Sequence, residues 1–440
     1  MTKPAAVQTS AMLYRPAAIC AGVALESYDW VLYALLVNYF AVTFFGGDIE
    51  GSLVYGFGVF AAGFLARPIG GLVVGRLADR NGRRAAMLVC IALSGVASLG
   101  MAALPGIAII GAWSPALLLV LRLLLGFAQG GELPVAQTYL YEMAPVLRRS
   151  LFASMVYTFA GLGKLVANLI AVGLVAVLGA EAVSRGYWRI PFLLAGIASV
   201  VFFVFRMRLP ETAEFEHMSR TTAPMSLWRA RRELALPMLS VVGLTAGVTA
   251  AFYLWSAVPS NYAISVLHLS DSSVLLATCA ATAVFVIGLP LFGLFGDRIG
   301  ARTVLLGGSA VMAAVTVPLQ YWLDRAGVAT YWFVVITGNI GLAAMLSVFP
   351  AVAGSVVPTR YRAVGQGLPY GVTVAVFGGT TPLLKHATGN NSLGFAVYIT
   401  LLLVVTAATV AILPPASDHR RKADLGRQSS PWSRVRQAWR

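Results

Sequence analysis

The chain has 440 residues, of which 58% are hydrophobic and 11% charged, and its formal net charge is +15. A soluble domain carries about 25% charged residues, so this composition, with a mean hydropathy of +0.80, excludes a soluble enzyme or a nucleic-acid-binding module and indicates a polytopic membrane protein. The three Cys and four His lie singly along the chain, and no Gly-x4-Gly-Lys-Ser/Thr phosphate loop is present, so neither a metal, a redox pair nor a cofactor is expected.

A membrane-crossing helix needs roughly 20 apolar residues. Twelve stretches qualify, at about 17–45, 51–75, 85–104, 114–143, 150–178, 188–206, 234–263, 272–295, 303–322, 330–356, 363–386 and 392–413. The first is too long for a cleaved signal, carries Glu26 and Asp29, and lacks a small-residue cleavage site after it. The organisation expected is all-α: a six-helix bundle over 1–206, a cytoplasmic central loop over 207–233, a second six-helix bundle over 234–413 and a basic cytoplasmic tail over 414–440. With both termini inside, 25 of the 32 Lys and Arg fall on one side of the membrane, Arg206 among them, and only Arg185 and Arg325 sit in loops of the other. This positive-inside bias fixes the orientation and accounts for most of the net charge.

A short basic motif occurs twice between apolar stretches. The first copy runs Gly75-Arg-Leu-Ala-Asp79-Arg80-Asn-Gly82-Arg83-Arg84 and the second Gly293-Leu-Phe-Gly-Asp297-Arg298-Ile-Gly300-Ala-Arg302. Asp79 and Asp297 are 218 residues apart, about half the chain, and Pro145 and Arg149 repeat as Pro358 and Arg362 at an offset of 213. Two related hydrophobic halves point to a secondary transporter with its substrate site between them.

Along the chain these residues resemble the major facilitator superfamily and, within it, the metabolite:proton symporter family. The resemblance rests on Glu26-Ser-Tyr28-Asp29-Trp30, Arg67-Pro68-Ile-Gly70-Gly71, the doubled loop motif, Arg122-Leu-Leu-Leu-Gly126-Phe-Ala-Gln-Gly130-Gly131-Glu132, Glu142-Met-Ala-Pro145, Trp188-Arg189-Ile-Pro191-Phe192, Glu211-Thr-Ala-Glu-Phe215 and Phe377-Gly378-Gly379-Thr-Thr-Pro382. It implies twelve helices in two pseudo-symmetric bundles, and loop motifs that act as gates. The sequence departs from the family pattern at Leu125, where Gln is usual, and at Ser355, the position equivalent to Glu142.

Ionisable residues at membrane depth are costly and are functional candidates by default. Glu26, Asp29 and Glu132 lie inside spans of the first half, and no span of the second half holds a carboxylate. At 1.5 Å per residue, Asp29 sits roughly 18 Å from the inner end of span one and Arg122 about 12 Å from the outer end of span four, so the two are expected to pair. Asp29, Glu26, Arg122 and Glu132 are therefore the expected proton-coupling set. Arg122 and Lys164, with Tyr28, Tyr157, Tyr253, Trp255, Gln366 and Tyr370, are the candidate substrate contacts, because Arg offers a carboxylate a bidentate fork. Gly75, Asp79, Arg80, Gly82, Arg83, Glu142, Asp297 and Arg298 are expected to gate. Asp79 is expected to face the positive N-terminus of span eleven, and Arg83 to reach Glu142.

The function expected is proton-coupled uptake of a small carboxylated metabolite across the bacterial inner membrane, with the proton gradient as energy source and one chain as the working unit. The rivals are an exporter of a similar compound and a transport-dead receptor.

Overall fold

The computed structural model describes residues 5–221, 227–256, 258–378 and 392–413. Thirteen helices carry the fold: α1 (Ala5–Phe45), α2 (Ile49–Asn81), α3 (Arg83–Ala103), α4 (Trp113–Met143), α5 (Arg149–Leu178), α6 (Arg189–Arg206), α7 (Ala213–Thr221), α8 (Leu227–Ser256), α9 (Asp271–Ile299), α10 (Ala301–Leu323), α11 (Val328–Val356), α12 (Arg362–Thr373) and α13 (Ser392–Ile412). Eleven of them are long and apolar enough to cross a membrane. The twelfth expected span, 363–386, is represented by α12 and the wider turns at Val374–Gly378, and its remainder lies outside the described residues. So do Lys3 and the basic tail.

Large apolar side chains such as Leu65, Leu169 and Leu236 stand exposed along the helices. On a soluble protein these would be liabilities; here they match a hydrocarbon solvent, in which a helix satisfies its own backbone. Prolines interrupt α2, α4, α8, α9, α10, α11 and α12, a frequency that membrane helices tolerate. Two elements start well before the expected spans: α1 at Ala5 rather than about 17, and α8. Helix α8 begins at Leu227, inside the stretch read as a loop, because buried Ala230 and Leu234 extend its apolar face below Arg231 and Arg232, which stay exposed.

Close approach between helices is set by small residues, the usual device where no water drives association. In the first half, Gly70 of α2 lies on the backbone of Phe127, Gly126 of α4 on that of Gly63, and Gly163 of α5 on that of Ala24. Across the two halves, Gly71 meets Gly367 and Gly75 meets Val364, which presses α2 against α12. Gly293 and Gly296 of α9 meet Ser150, Leu151 and Ser154 of α5. A Cβ at Gly71 or Gly75 would strike backbone atoms of α12. The loop motifs turn at Gly82 (φ 102°) and Gly300 (φ 104°), a backbone region that favours glycine.

Candidate transport site and its gates

The doubled motif builds two matching contacts. Asp79 at the end of α2 accepts hydrogen bonds from the backbone N–H groups of Ala363 (3.1 Å) and Val364 (2.9 Å), in the first turn of α12. Asp297 at the end of α9 accepts from Ser150 (2.8 Å) and Leu151 (3.2 Å), in the first turn of α5. Each carboxylate sits at the positive end of a helix from the opposite half, where unsatisfied N–H groups and the dipole favour negative charge.

Around the first contact a denser network forms. Buried Arg83 reaches Glu142 through Nη2 (2.9 Å) and Nε (3.2 Å), and its Nη2 also donates to the Thr359 carbonyl of the other half (3.0 Å). Arg362 bridges Glu142 (3.0 Å) and Glu214 of α7 (2.8 Å), while Glu214 also accepts from Arg149 (3.3 Å). Glu211 accepts from the N–H groups of Arg83 and Arg84, both at 3.1 Å. The second copy is thinner: the Arg83 position is Ala301 and the Glu142 position is Ser355, whose hydroxyl turns back to Val352. Arg80 and Arg298 are exposed and make none of these contacts. Glu211 and Glu214 were not among the residues expected to gate. Their signal was the acidic run of Glu211, Glu214 and Glu216 that leads into α7.

Inside the first half, Arg122 Nη2 lies 3.3 Å from Asp29 Oδ1, and neither side chain is more than marginally exposed. Ser98 donates to the other oxygen of Asp29, and the guanidinium of Arg122 stacks on Tyr33, 4.4 Å from the ring centre. Glu26, one turn away, pairs with neither of these; it accepts from Ser94 at 3.0 Å. Glu132 is held in a bidentate pair by Arg206, with Nη1 at 3.0 Å from Oε2. Arg206 spends its other donors on the carbonyls of Ala18, Ile19 and Met87. Arg206, counted among the charges of the inner side, is the last residue of α6 and is fully buried. Glu132 supplies the counter-charge from another helix, which a count of loop charges does not register.

The junction between the halves gathers a different set. Arg67 of α2 lies over Trp30 (4.4 Å) and Phe64 (4.1 Å), donates to Gln129 (2.5 Å), and is 6% exposed. Its Nε has no partner among the described residues. Lys164 of α5 is half-buried, with Nζ 3.8 Å from the ring centre of Phe252 on α8. The Tyr157 hydroxyl accepts from Gln137 (3.3 Å) and interacts with Tyr370 of α12, and Tyr253 lies within reach of both. Lys164 and Tyr370 are each within electrostatic reach of Arg67. Neither Arg67 nor Lys164 forms an ion pair among the described residues. Of the expected substrate contacts, the structure brings together Lys164, Tyr157, Tyr253 and Tyr370. Gln366 donates to Thr138 nearby (3.3 Å). Tyr28 is turned away, its hydroxyl on the Pro191 carbonyl (3.1 Å). Trp255 packs on Gly338 and lines a small polar pocket with Thr278, Tyr331 and Asn339. Arg122 pairs with Asp29 through Nη2, and its buried Nε and Nη1 have no hydrogen-bond partner among the described residues. Arg67 was quoted only as part of a motif; its intramembrane charge was the signal that should have placed it among the candidates.

Known proteins carry the same architecture. Residues 19–368 match the family profile of the Major Facilitator Superfamily. The alpha-ketoglutarate permease of Escherichia coli K12 is 35% identical over 390 residues, covering 86% of this chain and 88% of the relative. The citrate-proton symporter of Salmonella typhi is 33% identical over 85% of this chain and 88% of its own. The ectoine/proline transporter ProP of Corynebacterium glutamicum is 30% identical over 82% and 75%. Among solved structures, the proton:xylose symporter XylE bound to 6-bromo-6-deoxy-D-glucose superposes with a TM-score of 0.77, covering 93% of this chain and 97% of that one at 15% identity. These relatives are permeases and symporters rather than enzymes, and the chain is a multi-pass membrane transporter that belongs to the major facilitator superfamily.

Proposed function

We infer that the protein imports a small carboxylate together with protons. The observation that carries this reading is the pair Arg67 and Lys164. Two cations face the junction of the halves, without a carboxylate partner among the described residues, beside three tyrosines. A buried cation left uncompensated is expensive, and an anion delivered by the substrate supplies the missing charge. The guanidinium offers a planar fork to a carboxylate, Lys164 adds a point charge, and the tyrosines add hydrogen bonds. Relatives named for alpha-ketoglutarate and citrate support an anionic substrate. A relative named for ectoine and proline is consistent with a single carboxylate as the minimum requirement.

Transport proceeds by alternating access between residues 1–206 and 234–413. In this conformation the Asp79, Asp297 and Glu142 contacts hold the inner side together, and opening inward requires them to break. The proton-carrying groups are the first-half carboxylates Asp29 and Glu26. Glu132, saturated by Arg206, serves to fix α4 against α6. The positive-inside bias puts both termini in the cytoplasm and the protein in the bacterial plasma membrane, working as a single chain. Uptake by proteoliposomes under an inward proton gradient tests the reading, with labelled alpha-ketoglutarate and citrate run beside proline and betaine. Accumulation of a carboxylate is expected. Extrusion under the reverse gradient without accumulation would make the protein an exporter.

A further inference from the structure

We propose that the pocket beside Trp255 is a specificity subsite that takes a hydroxyl group of the substrate, so that the transported compound is a hydroxycarboxylate. Its carboxylate end is that of the import reading above, on which this step rests.

The pocket lies within the second half, between the end of α8 and the opening stretches of α9 and α11. Its lining includes Trp255, Ser256, Thr278, Thr282, Tyr331 and Asn339, and no charged residue takes part. Trp255, Tyr331 and Asn339 are buried, so a polar group left unmet there is expensive. The donors are nearly all accounted for. The amide of Asn339 donates to the carbonyls of Val335 (2.9 Å) and Trp255 (3.4 Å). Thr278 donates to the Val274 carbonyl and Thr282 to the Thr278 carbonyl, both at 2.8 Å. With the Thr278 proton committed, its 3.1 Å contact with Tyr331 has the tyrosine hydroxyl as donor. One donor is left, the buried indole Nε1 of Trp255, which has no partner among the described residues. Against it stand acceptors with lone pairs to spare, Oδ1 of Asn339 and the hydroxyl oxygens of Tyr331 and Thr282.

A hydroxyl answers this inventory from both sides: it accepts from the indole N–H and donates to one of the oxygens. A carboxylate or keto oxygen would meet the acceptors lone pair to lone pair. An ammonium has nothing for the indole N–H to donate to, and it would find no counter-charge. Position links the pocket to the cations of the junction. Ser256 stands one turn beyond Phe252 on the same face of α8, and the Phe252 ring carries Lys164 Nζ at 3.8 Å. One turn rises about 5.4 Å, a span of a few covalent bonds, so one small molecule reaches from Lys164 to the pocket. The first half thus supplies the charges that hold the carboxylate, and the second half supplies neutral recognition of the hydroxyl. A substrate that fills both ties the halves together across the junction.

The test is equilibrium binding to the purified protein in liposomes, with two matched pairs of acids that differ by one hydroxyl: citrate against tricarballylate, and malate against succinate. In at least one pair the hydroxylated member should bind about ten- to a hundred-fold more tightly, the discrimination of a site whose polar groups are otherwise left unpaired. That ratio should shrink towards one in Trp255→Phe, which keeps a ring and removes the N–H, and in Thr282→Val, which keeps the shape and removes an acceptor. Equal affinities within both pairs in the unaltered protein overturn the subsite. So does a loss of affinity in both variants that is the same for the two members of a pair and keeps their ratio, since that is the mark of packing alone. If none of the four acids binds, the carboxylate reading fails, and glycerol then decides the subsite. The ultraviolet resonance Raman signature of the Trp255 indole N–H, isolated by subtracting the spectrum of Trp255→Phe, should change when glycerol is added; an unchanged signature overturns the hydroxyl site.

Discussion

At the scale of single residues, the first half holds three buried carboxylates, Asp29, Glu26 and Glu132, whose partners differ. Glu132 and Arg206 form a buried bidentate pair. Removing one member of such a pair leaves an uncompensated buried charge and costs about 3–5 kcal/mol, whereas replacing both is often neutral. Arg206→Met should therefore sharply lower the thermal unfolding temperature in detergent, and Glu132→Gln combined with Arg206→Met should recover most of the loss. Equal destabilisation in the double variant would show that the Arg206 contacts to the Ala18, Ile19 and Met87 carbonyls matter more than the pair. At the junction, Arg67→Gln removes a charge-assisted contact worth about 1.5–3 kcal/mol, so carboxylate affinity should fall about ten- to hundred-fold in a binding titration, with a smaller loss for Lys164→Gln. Much of this was visible in the sequence, because an ionisable residue inside an apolar run needs no structure to be noticed. Asp29 and Arg122 were matched by depth alone. Arg206 and Arg67 were missed for one reason: each lies near a polar boundary or in a motif, where a charge is ordinary, and only the helix packing shows that it is buried.

At the scale of elements, the contacts proposed as gates depend on helix ends and on the glycines that let helices approach. Asp79 works through the N–H groups of Ala363 and Val364, so Asp79→Asn keeps the shape and removes the charge that the α12 terminus favours. A charge at a helix terminus contributes about 0.3–1 kcal/mol, up to about 2 when partly buried. The inner side should open more often, seen as faster labelling of a cysteine placed on the inner half of α12. Unchanged labelling would mean that the Arg83–Glu142–Arg362 network closes the inner side without Asp79. Gly71→Val sets a side chain against the Gly367 backbone and should drive α2 and α12 apart, which lowers transport while leaving expression intact. The repeat made the paired contacts between the halves legible, since two Asp residues 218 apart in matching loops imply matching contacts. The contribution of α7 was not legible. Glu211 and Glu214 act across distances in sequence of more than 60 residues, on partners that their own neighbourhood does not name.

For the whole molecule, composition sufficed to give the class, and the spacing of apolar runs gave the helices to within a few residues. The starts of α1, at Ala5, and of α8, at Leu227, were the exceptions; in α8 an amphipathic extension with arginines on one face reads as a loop. What the pattern of apolar runs does not carry is which polar side chains point into the junction between the halves, since that depends on helix rotation. In the proposed transport cycle an anion on Arg67 and a proton move through the molecule as one event. The most direct measurement is the pH change outside proteoliposomes when alpha-ketoglutarate or citrate is added with no gradient imposed, for the unaltered protein and for Arg67→Gln. Alkalinisation that tracks carboxylate entry in the unaltered protein and disappears in Arg67→Gln is expected. Carboxylate entry without alkalinisation, or alkalinisation undiminished in Arg67→Gln, would contradict it.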